Sequence, residues 1–223
     1  MTPRRPDRAG RLALAYYRQA SPAVRLHTVV RWWSAPFPAV EAALPPSGRI
    51  LEIGCGHGLF SLYAALAGPH RTVHGVDIDA DKIAQAKAAA GNLAGRLSFA
   101  EAPSGAVPPG PWDAVVIVDV LYLLDEAAQR RLLTDALATL APGGVLVVKE
   151  MAPEPAWKAR WNTTQETLSV KLLGITEGGS FTFLPPGRLA GWLADLGAVT
   201  SEQRLDSHRL HPHHLLVARV PGR

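Results

Sequence analysis

Three glycines, Gly54, Gly56 and Gly58, alternate with other residues in the stretch LEIGCGHGLF, residues 51–60. Such spacing lets the chain bend tightly and press backbone against a ligand with no Cβ in the way. Glu52 sets a carboxylate just ahead of the bend, and Asp77 closes the run TVHGVD, 23 residues after the first glycine. An acid about 20 residues beyond such a loop is placed to accept both hydroxyls of a ribose. A loop built for a diphosphate offers amides and a helix end to phosphate, and an acid beside it works against that. An ammonium or sulfonium gains from the same acid. The pattern therefore points to a cationic nucleoside and away from a dinucleotide. Asp77 could alternatively cap the following helix, but Asp79 is better placed for that.

A bend of this kind works only at the carboxyl edge of a sheet, and the flanking sequence supplies one. RILEIG reads as a short buried strand, GLFSLYAALA as an apolar helix, TVHGVDI as a second strand and ADKIAQAKAAA as an amphipathic helix. RLSFAE and WDAVVIVDV follow as strands, EAAQRRLLTDALATL as a helix and GVLVVKEM as a fifth strand. Runs of β-branched residues without polar alternation predict strands covered on both faces, and hence a doubly wound α/β sheet. Two last runs, VTSEQRLDS and HLLVARV, predict a closing hairpin-like pair. Ahead of the sheet, Gly10 to Phe37 reads as helix interrupted at Ser21-Pro22, where serine can cap and proline can take the first turn. Val24, Val29, Val30 and Trp33 are expected on its apolar face, and a short helix is expected over 39–44. The expected organisation is a basic arm and helical cap over 1–47, then a domain over 48–223 with an excursion at about 153–184.

With the loop, the acid before it and the acid after the next strand in order, residues 48–151 resemble the class I S-adenosylmethionine-dependent methyltransferases. The resemblance implies a Rossmann-like seven-stranded sheet in the order 3-2-1-4-5-7-6, strand 7 antiparallel, with S-adenosyl-L-methionine as cofactor. It implies that Glu52, Gly54, Cys55, Gly56 and Gly58 hold the cofactor's methionine part, that Asp77 holds the ribose, and that Ile78 packs on adenine. Relatives often carry an acid near the end of strand three for the adenine amine. Here LSFAEAPSG offers Glu101 out of clear register, or Ser104 in its place. The lead VRLHTVVRWWSAPF before the GCGHG loop is similar to a bacterial subgroup of lipid- and polyene-cluster methyltransferases, which favours a hydrophobic acceptor.

A sulfonium is already an activated electrophile, so such an enzyme has mainly to align the acceptor and exclude water. A base is needed only when the acceptor loses a proton as it attacks. Asp119 and Tyr122, after the fourth strand, and His57, in the loop, are the catalytic candidates; Asp119 could instead hold the cofactor's amine, and His57 could only satisfy local hydrogen bonds. Tyr16, Tyr17, Trp33, Glu150, Trp157 and Trp161 are candidates to line the acceptor pocket, since Tyr and Trp join an apolar body to a polar edge. Packing of the N-terminal helices is the alternative for most of them. His208, His211, His213 and His214 cluster near the last strand, but adjacent histidines point to opposite faces, and no metal is expected.

The 223 residues, 48% hydrophobic and 19% charged, exclude wholesale disorder and coiled coil. One cysteine, Cys55, excludes a disulfide within the chain and favours a reducing cytoplasm. The longest apolar run, 114–124, is broken by Asp119, and no run reaches the roughly 18 residues of a membrane span. Charge is uneven: residues 1–40 hold seven arginines against one acid, a net +6, and the remainder carries −2. Such an arm could contact an anionic membrane surface or an acidic carrier protein, or simply be solvated. A small-molecule acceptor is expected. RNA methylation and non-catalytic cofactor binding are the alternatives, and RNA is disfavoured because VDVLYLL stands where an NPPY-type motif would be.

Overall fold

The computed structural model describes residues 5–93, 95–151, 181–205 and 213–222. Its strands are β1 (Ser47–Ile53), β2 (His70–Asp77), β3 (Leu97–Glu101), β4 (Trp112–Val118), β5 (Leu140–Met151), β6 (Val199–Arg204) and β7 (His213–Arg219). They form one sheet in the order β3-β2-β1-β4-β5-β7-β6, with β1 to β5 parallel and β7 antiparallel to both its neighbours. The doubly wound sheet expected from the alternating runs is observed, in the strand order that the resemblance implied. β1 begins two residues earlier than its apolar run, because Ser47 and Gly48 already pair with His70 and Arg71.

The lack of polar alternation in the central strands has its cause in two cores. Ala114, Val116 and Val118 of β4 pack into one apolar cluster, and Val115 and Ile117 into another on the opposite face. The second is covered by α6 (Glu126–Ala138) and α7 (Pro186–Asp195), which contribute Leu132, Leu133, Leu189 and Leu193. The first is covered by α4 (Leu59–Ala67) and α5 (Ala80–Ala90), and beyond them by three leading helices. These are α1 (Arg8–Tyr16), α2 (Pro22–Ser34) and α3 (Phe37–Glu41).

Their starts follow local chemistry. Asp7 accepts from the Gly10 amide at 2.7 Å, and Ser21 from the Val24 amide at 3.4 Å with Pro22 in the first turn. Asp79, rather than Asp77, caps α5 through the Lys82 amide at 3.0 Å. The short third helix lies at Phe37–Glu41, earlier than the expected 39–44, since Pro36 and Pro38 start it rather than merely ending α2.

The apolar face expected for α2 is corrected. Val24, Thr28 and Trp32 are buried, whereas Val29, Val30 and Trp33 are exposed. Both sets have helical spacing, so periodicity alone could not choose between them. Thr28 is made fit for the interior by donating its hydroxyl to the Arg25 carbonyl at 2.9 Å. Trp32 decides the matter: its ring meets Tyr63 edge-on at 5.0 Å and Phe37 at 5.8 Å, and it lies over Gly10 of α1. A Cβ at Gly10 would stand 2.2 Å from Trp32 Cη2, so α1 and α2 cross where only glycine fits. Trp32→Ala is expected to cost about 3–5 kcal/mol in urea unfolding, and Val30→Ala no more than about 0.5 kcal/mol.

Candidate active site

β1 pairs with β2 on one side and β4 on the other, so the chain reverses its winding at the carboxyl end of β1. Ligands of open α/β sheets bind in the crevice at such a point. Here Gly54, Gly56 and Gly58 all take positive φ, at 73°, 52° and 78°. The Gly54 and Cys55 amides donate to the Val76 carbonyl at 2.8 and 2.9 Å. Side chains at the first and third glycines are sterically excluded, since a Cβ would lie 2.3 Å from Val120 Cγ2 and 2.5 Å from Phe99 Cζ respectively. Around Gly56 the equivalent space is open, with no atom within 4 Å. That open position is where a ligand can approach the backbone.

Both acids are built into the bend. Asp77 Oδ2 accepts from the Gly56 amide at 2.7 Å, and Oδ1 from the Asp79 amide at 3.0 Å. Each oxygen keeps a lone pair for another donor. Ile78, next in the chain, is 56% exposed. Glu101, expected out of register, pairs directly opposite Asp77 across β2 and β3 and is exposed. Glu52 is buried, and its Oε2 accepts from the Ser61 hydroxyl. Burial pushes its carboxyl up to about 8, so it holds a proton at neutral pH until a cation comes near. Burial likewise pushes the Cys55 thiol up, which keeps it a thiol and not a nucleophile.

The leading helices lie against the bend. The Tyr17 hydroxyl donates to the His57 carbonyl at 2.6 Å, and the His27 and His57 rings stand 4.7 Å apart. Burial pulls the His57 imidazole below its usual range, and its Nδ1 is buried without a partner among the described residues.

Asp119, directly after β4, is the one non-glycine residue with positive φ among those described, at 58°. Aspartate tolerates that region better than most side chains. Its Oδ1 meets Lys149 Nζ at 2.5 Å, and its Oδ2 meets an Arg31 guanidinium nitrogen at 2.6 Å. Lys149 is fully buried. Burial alone would raise the Asp119 carboxyl, but the two cations outweigh it and hold it well below the usual carboxylate range. Glu150, on the other face of β5, accepts from the Val120 and Leu121 amides at 2.9 and 2.8 Å through Oε1. Burial, with the Asp119 charge, pushes Glu150 up to about 8. It thereby holds the turn that carries Tyr122, whose ring stacks on Phe183 at 5.3 Å.

The structure thus gathers Glu52, the glycines, Cys55, His57, Asp77 and Tyr17 about the bend, and Asp119, Glu150 and Tyr122 about the end of β4. Tyr16 is half-buried against the core beneath the leading helices, and Trp33 is exposed on α2. Trp157, Trp161, His208 and His211 lie outside the described residues. Sequence reasoning missed Arg31, Lys149 and Ser61. A lysine within the apolar run VLVVKEM, and a serine within the apolar helix LFSLYAALA, are signals that a partner is waiting.

A family model described as "Methyltransferase domain" matches residues 26–201, and the chain belongs to that family. It is of the class I S-adenosylmethionine-dependent methyltransferase type. It is 27% identical over 151 residues, 67% of the chain, to a 3-hydroxy-5-methyl-1-naphthoate 3-O-methyltransferase of Streptomyces sahachiroi, and spans 42% of that protein. It is 28% identical over 184 residues to a ubiquinone biosynthesis O-methyltransferase of Xanthomonas axonopodis pv. citri, covering 75% of each. The solved structure of the pyocyanin biosynthetic protein PhzM shares the fold, with a TM-score of 0.69 and 17% identity, over 93% of this chain and 61% of that one.

Removing the Asp119 charge strands the Lys149 ammonium in the interior. Asp119→Asn is expected to destabilise by about 3–5 kcal/mol, and adding Lys149→Met to recover most of the loss; urea unfolding of both variants checks this. Because the Asp119 carboxyl is depressed in the folded state, its stabilisation is present above about pH 4 and is lost as pH falls further. Asp119→Asn should flatten that part of the acid-unfolding profile.

Proposed function

We propose that the chain is an S-adenosylmethionine-dependent methyltransferase acting on an oxygen or carbon of a small, hydrophobic acceptor. The observation that carries this reading is the pair of carboxylates, Glu52 and Asp77, around a bend left open at Gly56. The residues suit the cofactor: a buried acid with no cation paired to it among the described residues, a half-exposed acid with spare lone pairs, and an exposed aliphatic side chain beside it. When bound, the cofactor supplies a methyl group on sulfur that needs no further activation.

In this reading Asp77 receives the ribose hydroxyls, Ile78 and Glu101 flank the adenine, and Glu52 faces the cationic end. Residues 1–47 form a cap on a catalytic domain over 48–223. Asp119 stays ionised and binds Arg31 and Lys149, so it positions the cap rather than taking up a proton. His57 is the loop's candidate to take a proton where the acceptor loses one, since burial keeps its ring neutral and ready to accept. Tyr122, with Phe181 and Phe183 beside it, offers aromatic surface to an apolar acceptor. The naphthoate named for one relative is an acceptor of that kind, and another relative is named for the biosynthesis of ubiquinone.

Calorimetric titration with S-adenosylmethionine tests the reading. Asp77→Ala should weaken binding about tenfold to a hundredfold or more, from lost hydrogen bonds of about 1.5–3 kcal/mol. Unchanged affinity would overturn the assignment. Glu52 must shed its proton to face a cation, so wild-type affinity should rise from pH 6 towards pH 8, by up to about tenfold per unit. Glu52→Gln should bind more weakly and lose that slope.

A further inference from the structure

The second helix of the chain is apolar on the side it does not bury. Leu26, Val29 and Val30 are 66%, 42% and 56% exposed, and Pro22 and Ala23 beside them are exposed as well. On a helical wheel these five positions fall within one broad face, opposite the buried Val24 and Thr28. Contiguous exposed apolar surface of this kind marks an interaction site more often than chance scatter does.

Its surroundings say which kind. Arg5, Arg8, Arg11, Arg18 and Arg25 are all exposed, and neither α1 nor α2 contains an acidic residue. The one acid of the region, Asp7, is occupied by the Gly10 amide and the Tyr63 hydroxyl. A polyanion such as RNA would use the arginines but would leave Leu26, Val29 and Val30 in contact with phosphate and water. A second copy of the chain would cover the aliphatic residues but would bring Arg25 against like charges with no acid on that face to receive them. A bilayer with anionic headgroups satisfies both halves of the pattern.

We propose that the outward face of α2, with the arginines of α1 and the α1–α2 link, docks the protein on an anionic membrane surface. The inner side of the same helix carries Arg31 to Asp119 at the end of β4. Docking therefore sets the carboxyl edge of the sheet close to the bilayer, within reach of an apolar acceptor dissolved there. The proposal concerns where the protein sits and does not depend on the reaction it performs.

Cosedimentation of the full chain with vesicles tests it. Vesicles of equal parts phosphatidylglycerol and phosphatidylcholine should bind the protein, pure phosphatidylcholine should bind it far less, and added salt should weaken the binding. Leu26→Asp with Val30→Asp should cut partitioning at least about tenfold, with only a small shift in the urea midpoint because both side chains are mostly exposed. Arg25→Ala should cut it about fivefold and serves if the double variant fails to fold. Equal binding to both vesicle types, no binding, or variants that bind as the wild type would each overturn the proposal. So would light scattering that shows a dimer which Leu26→Asp with Val30→Asp dissociates.

Discussion

A single carboxylate holds three separate parts of this chain in register. Asp119 binds the Arg31 guanidinium from α2 with one oxygen and the Lys149 ammonium from β5 with the other, at the point where β4 gives way to its turn. Without it a fully buried ammonium would lose its ion-pair partner, and α2 would keep only the longer Arg31–Val118 carbonyl bond at the sheet edge. Breaking a buried pair by removing one partner costs far more than the pair gains over an apolar substitute. The arrangement therefore specifies where α2 lies more than it adds to overall stability. The left-handed backbone at Asp119 belongs to the same constraint, since it lets one side chain serve two cations from different elements.

The second constraint is the bend after β1. Its glycines are of two kinds: Gly54 and Gly58 lack side chains because Val120 and Phe99 occupy the space, and Gly56 lacks one where the space is open. Asp77 fastens the bend through the Gly56 amide, and so is part of the fold as well as of the candidate site. The binding role proposed for Asp77 would overlap with this structural one, so its effect on binding is separable only by measuring stability alongside affinity.

Much of this was legible in the sequence, and the reason is local. The doubly wound sheet followed from apolar runs that do not alternate, its strand order from the family resemblance, the bend from glycine spacing, and two helix starts from Ser21-Pro22 and Asp79. What was not legible depended on contacts across the chain. The choice between Val24/Thr28/Trp32 and Val24/Val29/Val30/Trp33 as the inner face of α2 rests on Trp32 meeting Gly10, Phe37 and Tyr63, none of which lies within a helical turn of it. Arg31 reads as one more member of a basic leader until its partner, 88 residues away, is placed beside it. Glu101 reads as out of register along the chain, whereas register is set across the sheet, where it pairs with Asp77.

The collision that excludes a side chain at Gly54 has a consequence for anyone rebuilding this protein. Val120, which fills that space, is itself held by its amide on Glu150, so the loop after β1 and the turn after β4 are shaped against each other. A transplant of the β4 turn from a relative, made to alter which acceptor is taken, would carry its own bulk against Gly54. The two loops must be exchanged as one cassette, together with the glutamate that fastens the second, or redesign on one side of the crevice will distort the other.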